Sequence, residues 1–108
     1  MSKINIQFTL FSAFYSPLIS TMTGGFLKDE GLDYEWSVAE PGVTAITALD
    51  NGSADVVQST LSQGFNTLNK GETPTCVHFA QINEMDGFFI TGRDAEPDFS
   101  WNKLEGAE

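Results

Sequence analysis

Gly24-Gly25-Phe26-Leu27-Lys28-Asp29-Glu30-Gly31-Leu32-Asp33-Tyr34-Glu35-Trp36 decides how this chain folds. Gly31 supplies the left-handed conformation that closes a helix, and Lys28, Asp29 and Glu30 fill the exposed last turn before it. Leu32, Tyr34 and Trp36 then alternate with Asp33, Glu35 and Ser37, which is the period of a strand. Upstream, Ile4, Ile6, Phe8 and Leu10 alternate in the same way, so the whole stretch reads as one β-α-β unit. Open parallel sheets bind ligands beyond the carboxyl ends of their strands, and that is where a site is to be sought.

Downstream the same alternation of elements continues. Glu40-Pro41-Gly42 is a break, because Pro41 holds Glu40 extended and Gly42 permits a tight turn. A short helix is expected over residues 43–50, with Val43, Ile46 and Leu49 on one face, ended by Asn51-Gly52. Residues 54–58 form a short apolar strand, and Leu61, Phe65 and Leu68 carry a helical period after it. Residues 75–82 and 87–91 read as two further strands, too close together for a helical crossover. The expected order is β-α-β-α-β-α-β-β, an α/β fold with a mainly parallel open sheet and flanking helices. Residues 1–92 form the α/β segment. Residues 93–108 are a polar loop and crossover, where Phe99, Trp101 and Leu104 find little left to pack on.

Composition bounds what the protein does. The chain has 108 residues, enough for one small core, and 41% of them are hydrophobic. Fifteen acids against five bases give a net charge of −10, which argues against nucleic acid and against anionic membranes as partners. Cys76 is the sole cysteine, so no internal disulfide forms, and its apolar neighbours predict a buried thiol. The start, Met1-Ser2-Lys3-Ile4-Asn5-Ile6, enters a strand directly and lacks the pattern of a secretory signal.

Signatures of catalysis and of cofactor binding are missing. There is no G-x-G-x-x-G, no phosphate-binding lysine loop and no G-x-S-x-G elbow, so no cofactor is expected. His78 is the sole histidine. Its place inside an expected strand predicts a packed side chain, and one His with one Cys builds no metal cluster. No general acid and base pair stands out.

What remains is the rim formed by the strand ends. The first strand leads into Phe11-Ser12-Ala13-Phe14-Tyr15-Ser16-Pro17, with Ser16 as an expected helix cap and Pro17 as a first helical residue. The second leads into Glu40-Pro41-Gly42-Val43, the third into Gln58-Ser59-Thr60, and the fourth into Asn83 and Glu84. Ser16 and Ser59 alone do no more than cap helices, and Glu40 alone is a solvated acid. Gln58, an amide closing an apolar strand, needs hydrogen-bond partners. Convergence of the loops carries the signal.

At these residues the chain resembles periplasmic-type substrate-binding proteins of ABC importers. The branch is the one that includes the aliphatic-sulfonate, nitrate, taurine and thiamine-pyrimidine binders. The likeness rests on Gly25-Phe26-Leu27-Lys28-Asp29-Glu30-Gly31-Leu32-Asp33, on Gly52-Ser53-Ala54-Asp55-Val56-Val57, and on the late Trp101-Asn102-Lys103-Leu104-Glu105-Gly106. The resemblance implies a two-lobed, non-enzymatic binder that captures a small ligand in its cleft and presents it to membrane permease subunits, in the periplasm. It implies ligand contacts at Phe14, Tyr15, Ser16, Glu40, Pro41, Gly42, Gln58, Ser59, Thr60 and Asn83. On that reading the chain is an incomplete first lobe, stopping where the second lobe begins. Two alternatives stand beside it. One is an enzyme of the thiamine-pyrimidine synthase type, which requires His78 near the rim. The other is a free-standing lobe that forms a homo-oligomer through an uncovered apolar face.

Overall fold

The computed structural model describes residues 2–85 and 89–106. Three strands, β1 (Ser2–Phe8), β2 (Leu32–Val38) and β3 (Val56–Gln58), form one sheet in the order β2-β1-β3. Both pairings are parallel, with Phe8 opposite Val38 on one side and Gln58 on the other. The helices are α1 (Ser16–Thr23), α2 (Phe26–Asp29), α3 (Ala45–Asp50) and α4 (Phe65–Asn69). The α/β class and the alternation through the third strand are as expected from the sequence.

Each element has a local cause. In β1 the alternation puts Ile6 and Phe8 on one face, where they are buried with Met22 of α1. Leu18, Ile19, Leu27, Tyr34 and Val56 pack around them. Burying a ring of this size contributes about 1.5–3 kcal/mol, so Phe8, fully buried, anchors this face. The expected single helix before Gly31 is two, because the chain turns at Gly24-Gly25. Gly31, with φ 75°, closes the turn between α2 and β2.

Right-handed crossovers that leave β1 for β2 and return for β3 on its other side carry their helices over opposite faces. The helix expected over 43–50 starts at Ala45, leaving Val43 before it; on α3 the residues that bury are Ala45 and Ala48, while Ile46 and Leu49 are only half-buried. The close approach of a short helix favours its small side chains over the expected larger stripe. Gln7 points to the face opposite Phe8 and is buried, and its Oε1 meets no donor among the described residues.

Beyond α4 the expectations fail. Residues 75–82 form no strand, and Val77 and Phe79 are exposed. In the expected fifth strand Gly87 and Phe88 lie outside the described residues, as do Asp86 before it and Ala107 and Glu108 of the tail; Phe89, Ile90 and Thr91 pair with nothing assigned as strand. Propensity gives an extended backbone, but a strand exists only where a ladder partner is presented. β3 presents three residues, and the five-residue α4 is a short crossover from which to return alongside it. The helical stripe after β3 is real in its spacing, but Leu61, Phe65 and Leu68 face solvent. His78 is exposed and Cys76 half-exposed, because the buried strand expected to hold them does not form. The radius of gyration is 18.2 Å, against about 13 Å for a compact domain of this length.

In the tail, a 3₁₀ turn (Trp101–Leu104) is held by its own contacts. Phe99 and Trp101 meet edge to face at 5.4 Å, and Lys103 pairs with Glu96. No helix among the described residues is long and apolar enough to cross a membrane.

The Gly31 backbone tests this reading. Gly31→Ala forces a left-handed alanine and is expected to cost about 1–2 kcal/mol in urea unfolding. Gly31→Asn, which tolerates that conformation, is expected to lose less. Equal stability of the alanine variant and the parent would show that α2 and β2 are not joined through a left-handed residue.

Candidate functional site

Parallel pairing puts the carboxyl ends of all three strands on one rim. The chain leaves β1 towards β2 and comes back on the other side as β3, so the β1–β3 junction is the point where connections diverge. Crevices at such points are where open α/β sheets hold ligands.

Backbone and side-chain bonds tie the rim together. The Ala39 N–H donates to Phe8 O at 2.8 Å, carrying the ladder past the end of β2. Across the β1–β3 junction, the Thr9 N–H donates to Gln58 O at 3.3 Å. The Thr9 hydroxyl lies 3.1 Å from that same carbonyl and 3.3 Å from Gln58 Oε1. Gln58, only 4% exposed, therefore has the partner that its burial demands. The single hydroxyl proton is shared between the two Gln58 oxygens, and the pair holds two strand ends together.

Phe14 and Tyr15 sit in a 3₁₀ turn (Ala13–Tyr15) just before α1. Ser12, not Ser16, caps this start: its Oγ accepts from the Phe14 N–H at 3.2 Å. Ser16 is already helical, and its hydroxyl donates to Ala13 O. The extra 3₁₀ turn moves the cap back by four residues, a shift that spacing alone does not reveal. Tyr15 packs against the core cluster, while Phe14 and Ser16 are exposed.

Glu40, Pro41 and Gly42 form a tight turn closed by the Val43 N–H donating to Glu40 O at 3.0 Å. Gly42 takes a φ of 85°, and Pro followed by such a glycine is the pattern of a type II turn. All three are exposed. Ser59 is half-buried and Thr60 exposed, and the Thr60 and Ser62 hydroxyls share a 2.7 Å hydrogen bond. Gln63 then reaches back, its Oε1 accepting from the Ala45 N–H at 3.3 Å.

Asn83 follows no strand, yet it reaches the rim. Its Nδ2 donates to Phe14 O at 3.0 Å, across 69 residues of sequence. The four expected loops are thus linked in pairs. Strand ends one and three meet through Thr9 and Gln58, one and two through Phe8 and Ala39, and the last loop meets the first through Asn83.

Sequence reasoning missed one feature. Phe11 and Trp36 stack with centroids 4.9 Å apart and planes 23° apart, and Phe8 meets both edge-on at 5.3 and 6.1 Å. Trp36 reads as an ordinary member of an alternating strand. Only the register, which sets it beside Ile6 and one pleat below Val38, carries it towards Phe11.

Charge is distributed unevenly. Residues 9–17, 39–44 and 59–63 with Asn83 and Glu84 hold two acids, Glu40 and Glu84, and no Lys, Arg or His. Lys3 lies at the other end of β1, where its ammonium pairs with Glu35 at 2.5 Å. That hydrogen bond holds the Lys3 pKa above its usual value; partial burial opposes it, and attraction to Glu35 and Asp33 adds to it. A groove of about 310 Å³ lies at the same far end, lined by Met22, Thr23, Gly25, Lys28, Leu32, Asp33 and Tyr34. Thr23, Lys28, Asp33 and Tyr34 give it polar groups, but it borders the amino end of β2, away from the strand carboxyl ends where open α/β sheets hold ligands. The rim therefore remains the stronger candidate. Among the described residues no group of three or more His, Cys, Asp and Glu stands together as a metal site.

No family model and no solved structure matches the chain. It is 27% identical over 106 residues, 98% of its length, to a protein of Bacillus subtilis (strain 168) named "Putative binding protein YtlA". The match takes in 32% of that protein, so the chain spans about a third of the length of the curated relative. At this coarse level the chain is similar to a protein named for binding.

The Thr9–Gln58 tie makes a measurable claim. Thr9→Val keeps the side-chain shape but leaves the buried Gln58 oxygen without its hydroxyl donor. Unfolding in urea is expected to show a loss of about 1–3 kcal/mol. Gln58→Met in the same background is expected to recover part of it, because both polar partners are then gone.

Proposed function

We propose that this chain is part of the first lobe of a solute-binding protein. It holds a small molecule at the strand-end rim and, with a second lobe, delivers it to the permease subunits of an ABC importer. The observation that carries this reading is the convergence of three parallel strand ends and the Asn83 loop on one tied rim. The ligand groups are those of Phe14, Tyr15, Ser16, Glu40, Pro41, Gly42, Gln58, Ser59, Thr60 and Asn83, with Gln58 acting as much on the rim's rigidity as on the solute. The likeness to a protein named for binding supports the same reading.

The mechanism follows from geometry. Hydroxyls and amides on three loops orient the solute, and the aromatic side chains exclude water from one side of it. A second lobe hinges over the rim and buries the remaining face, and closure signals occupancy to the membrane partner. On one lobe alone half of those contacts are missing, so affinity on the order of 1 mM is expected.

Amide chemical shifts in solution test this directly. The chain is titrated with an aliphatic sulfonate, nitrate, a carboxylate, a pyrimidine and a quaternary ammonium, at constant ionic strength. At least one solute is expected to move the amides of residues 12–16, 40–43 and 58–60 saturably, leaving those around the far groove in place. Shifts confined to the far groove, or none with any solute, would overturn the proposal.

A further inference from the structure

The rim has an aromatic pair, and its described loop stretches hold no Lys, Arg or His. Phe11 and Trp36 stack on each other and remain 47% and 49% exposed, so each offers ring surface to a ligand. The pair is held from below by Phe8, which is fully buried in the core and meets both rings edge-on. The central strand supports them at the carboxyl end of the sheet, beside the loop that begins after β2.

The charges point the same way. The rim stretches carry Glu40 and Glu84 and no basic residue, within a chain of net charge −10. An anion bound there would find backbone N–H groups and hydroxyls but no ammonium or guanidinium, and it would enter against the field of the whole chain. A cation is favoured by that field and by the negative faces of the rings.

We infer that the solute of this rim is an organic cation, seated on the Phe11–Trp36 platform, with Glu40 supplying the counter-charge. The inference rests on the rim being the binding site and adds the chemical class of what binds. It excludes sulfonate and nitrate as the preferred solutes. Methylated or ring-delocalised cations suit the platform best, because they lose little hydration when they meet a π face. Compact ammonium ions hold their water more strongly.

Tetramethylammonium and ethanesulfonate, compared at equal ionic strength, are the probes. The readout is the indole N–H resonance of Trp36, told apart from that of Trp101 by Trp36→Phe. Tetramethylammonium is expected to move the Trp36 signal saturably and to bind more tightly than ethanesulfonate. Read on the rim amides, its affinity is expected to fall about 3- to 30-fold in Trp36→Ala and in Phe11→Leu, and to be largely kept in Trp36→Phe. Glu40→Gln is expected to weaken it and to reduce its dependence on salt. The sheet amides of every variant must keep the parent's pattern; Glu40→Gln and Phe11→Leu, at exposed positions, keep the test open if Trp36→Ala unfolds. Tighter binding of ethanesulfonate on the rim amides would overturn the cation while leaving the rim as a binding site. Tetramethylammonium binding that is unchanged in Trp36→Ala and Phe11→Leu would overturn the platform. Binding of neither probe would overturn the inference, and the full solute panel then decides the rim itself.

Discussion

The sheet and the helices packed on it depend on β1 being paired along both edges. It is the central strand, with β2 along its whole length and β3 along its last three residues. A parallel ladder has no local turn to hold it, so each pairing must be closed by a crossover that packs on the sheet. α1 does this for β2 through Met22, Leu18 and Ile19 against Ile6 and Phe8. α3 does it for β3 with small side chains, Ala45 and Ala48. Where the crossovers pack, the sheet exists. After α4 the chain is extended in places but adds no strand among the described residues.

The same constraint builds the rim. Because all three strands run in one direction, the loops that follow them gather at one end, and the ladder's last bonds become the site's scaffold. Gln58 shows the overlap: an amide that reads as a ligand group also closes the β1–β3 junction with the Thr9 hydroxyl. Phe8 shows it again, filling the core while supporting the exposed Phe11–Trp36 pair. Rigidity at such a rim comes from shared residues, since a side chain locked by packing has little further entropy to lose.

The distribution of charge separates the two ends of the sheet. Lys3 and Lys28 stand towards the amino ends of the strands, with Lys3 held by Glu35 and Lys28 lining the far groove. The carboxyl ends are left with hydroxyls, amides, rings and two acids. An exposed pair such as Lys3–Glu35 adds little stability. Its larger effect is to hold the Lys3 ammonium at the amino end of β1.

The sequence by itself determined the α/β class, the first three strands and the turns between them. Those signals are local: alternation in residues 4–8 and 32–37, Gly31 at a left-handed position, and Pro41-Gly42 in a tight turn. It also named the first three loops of the rim, because strand direction follows from β-α-β order; Asn83 is expected there as the end of a fourth strand, which does not form. Only the tertiary structure decided the rest. Residues 75–82 have the composition of a strand, but pairing is a property of two segments and β3 offers a short edge. The helical stripe of Leu61, Phe65 and Leu68 has the right period, but burial requires a surface to meet. Ser12 took the cap expected at Ser16 because one 3₁₀ turn precedes the helix. Asn83 on Phe14, and Trp36 on Phe11, join residues 69 and 25 positions apart, and only the fold sets such distances.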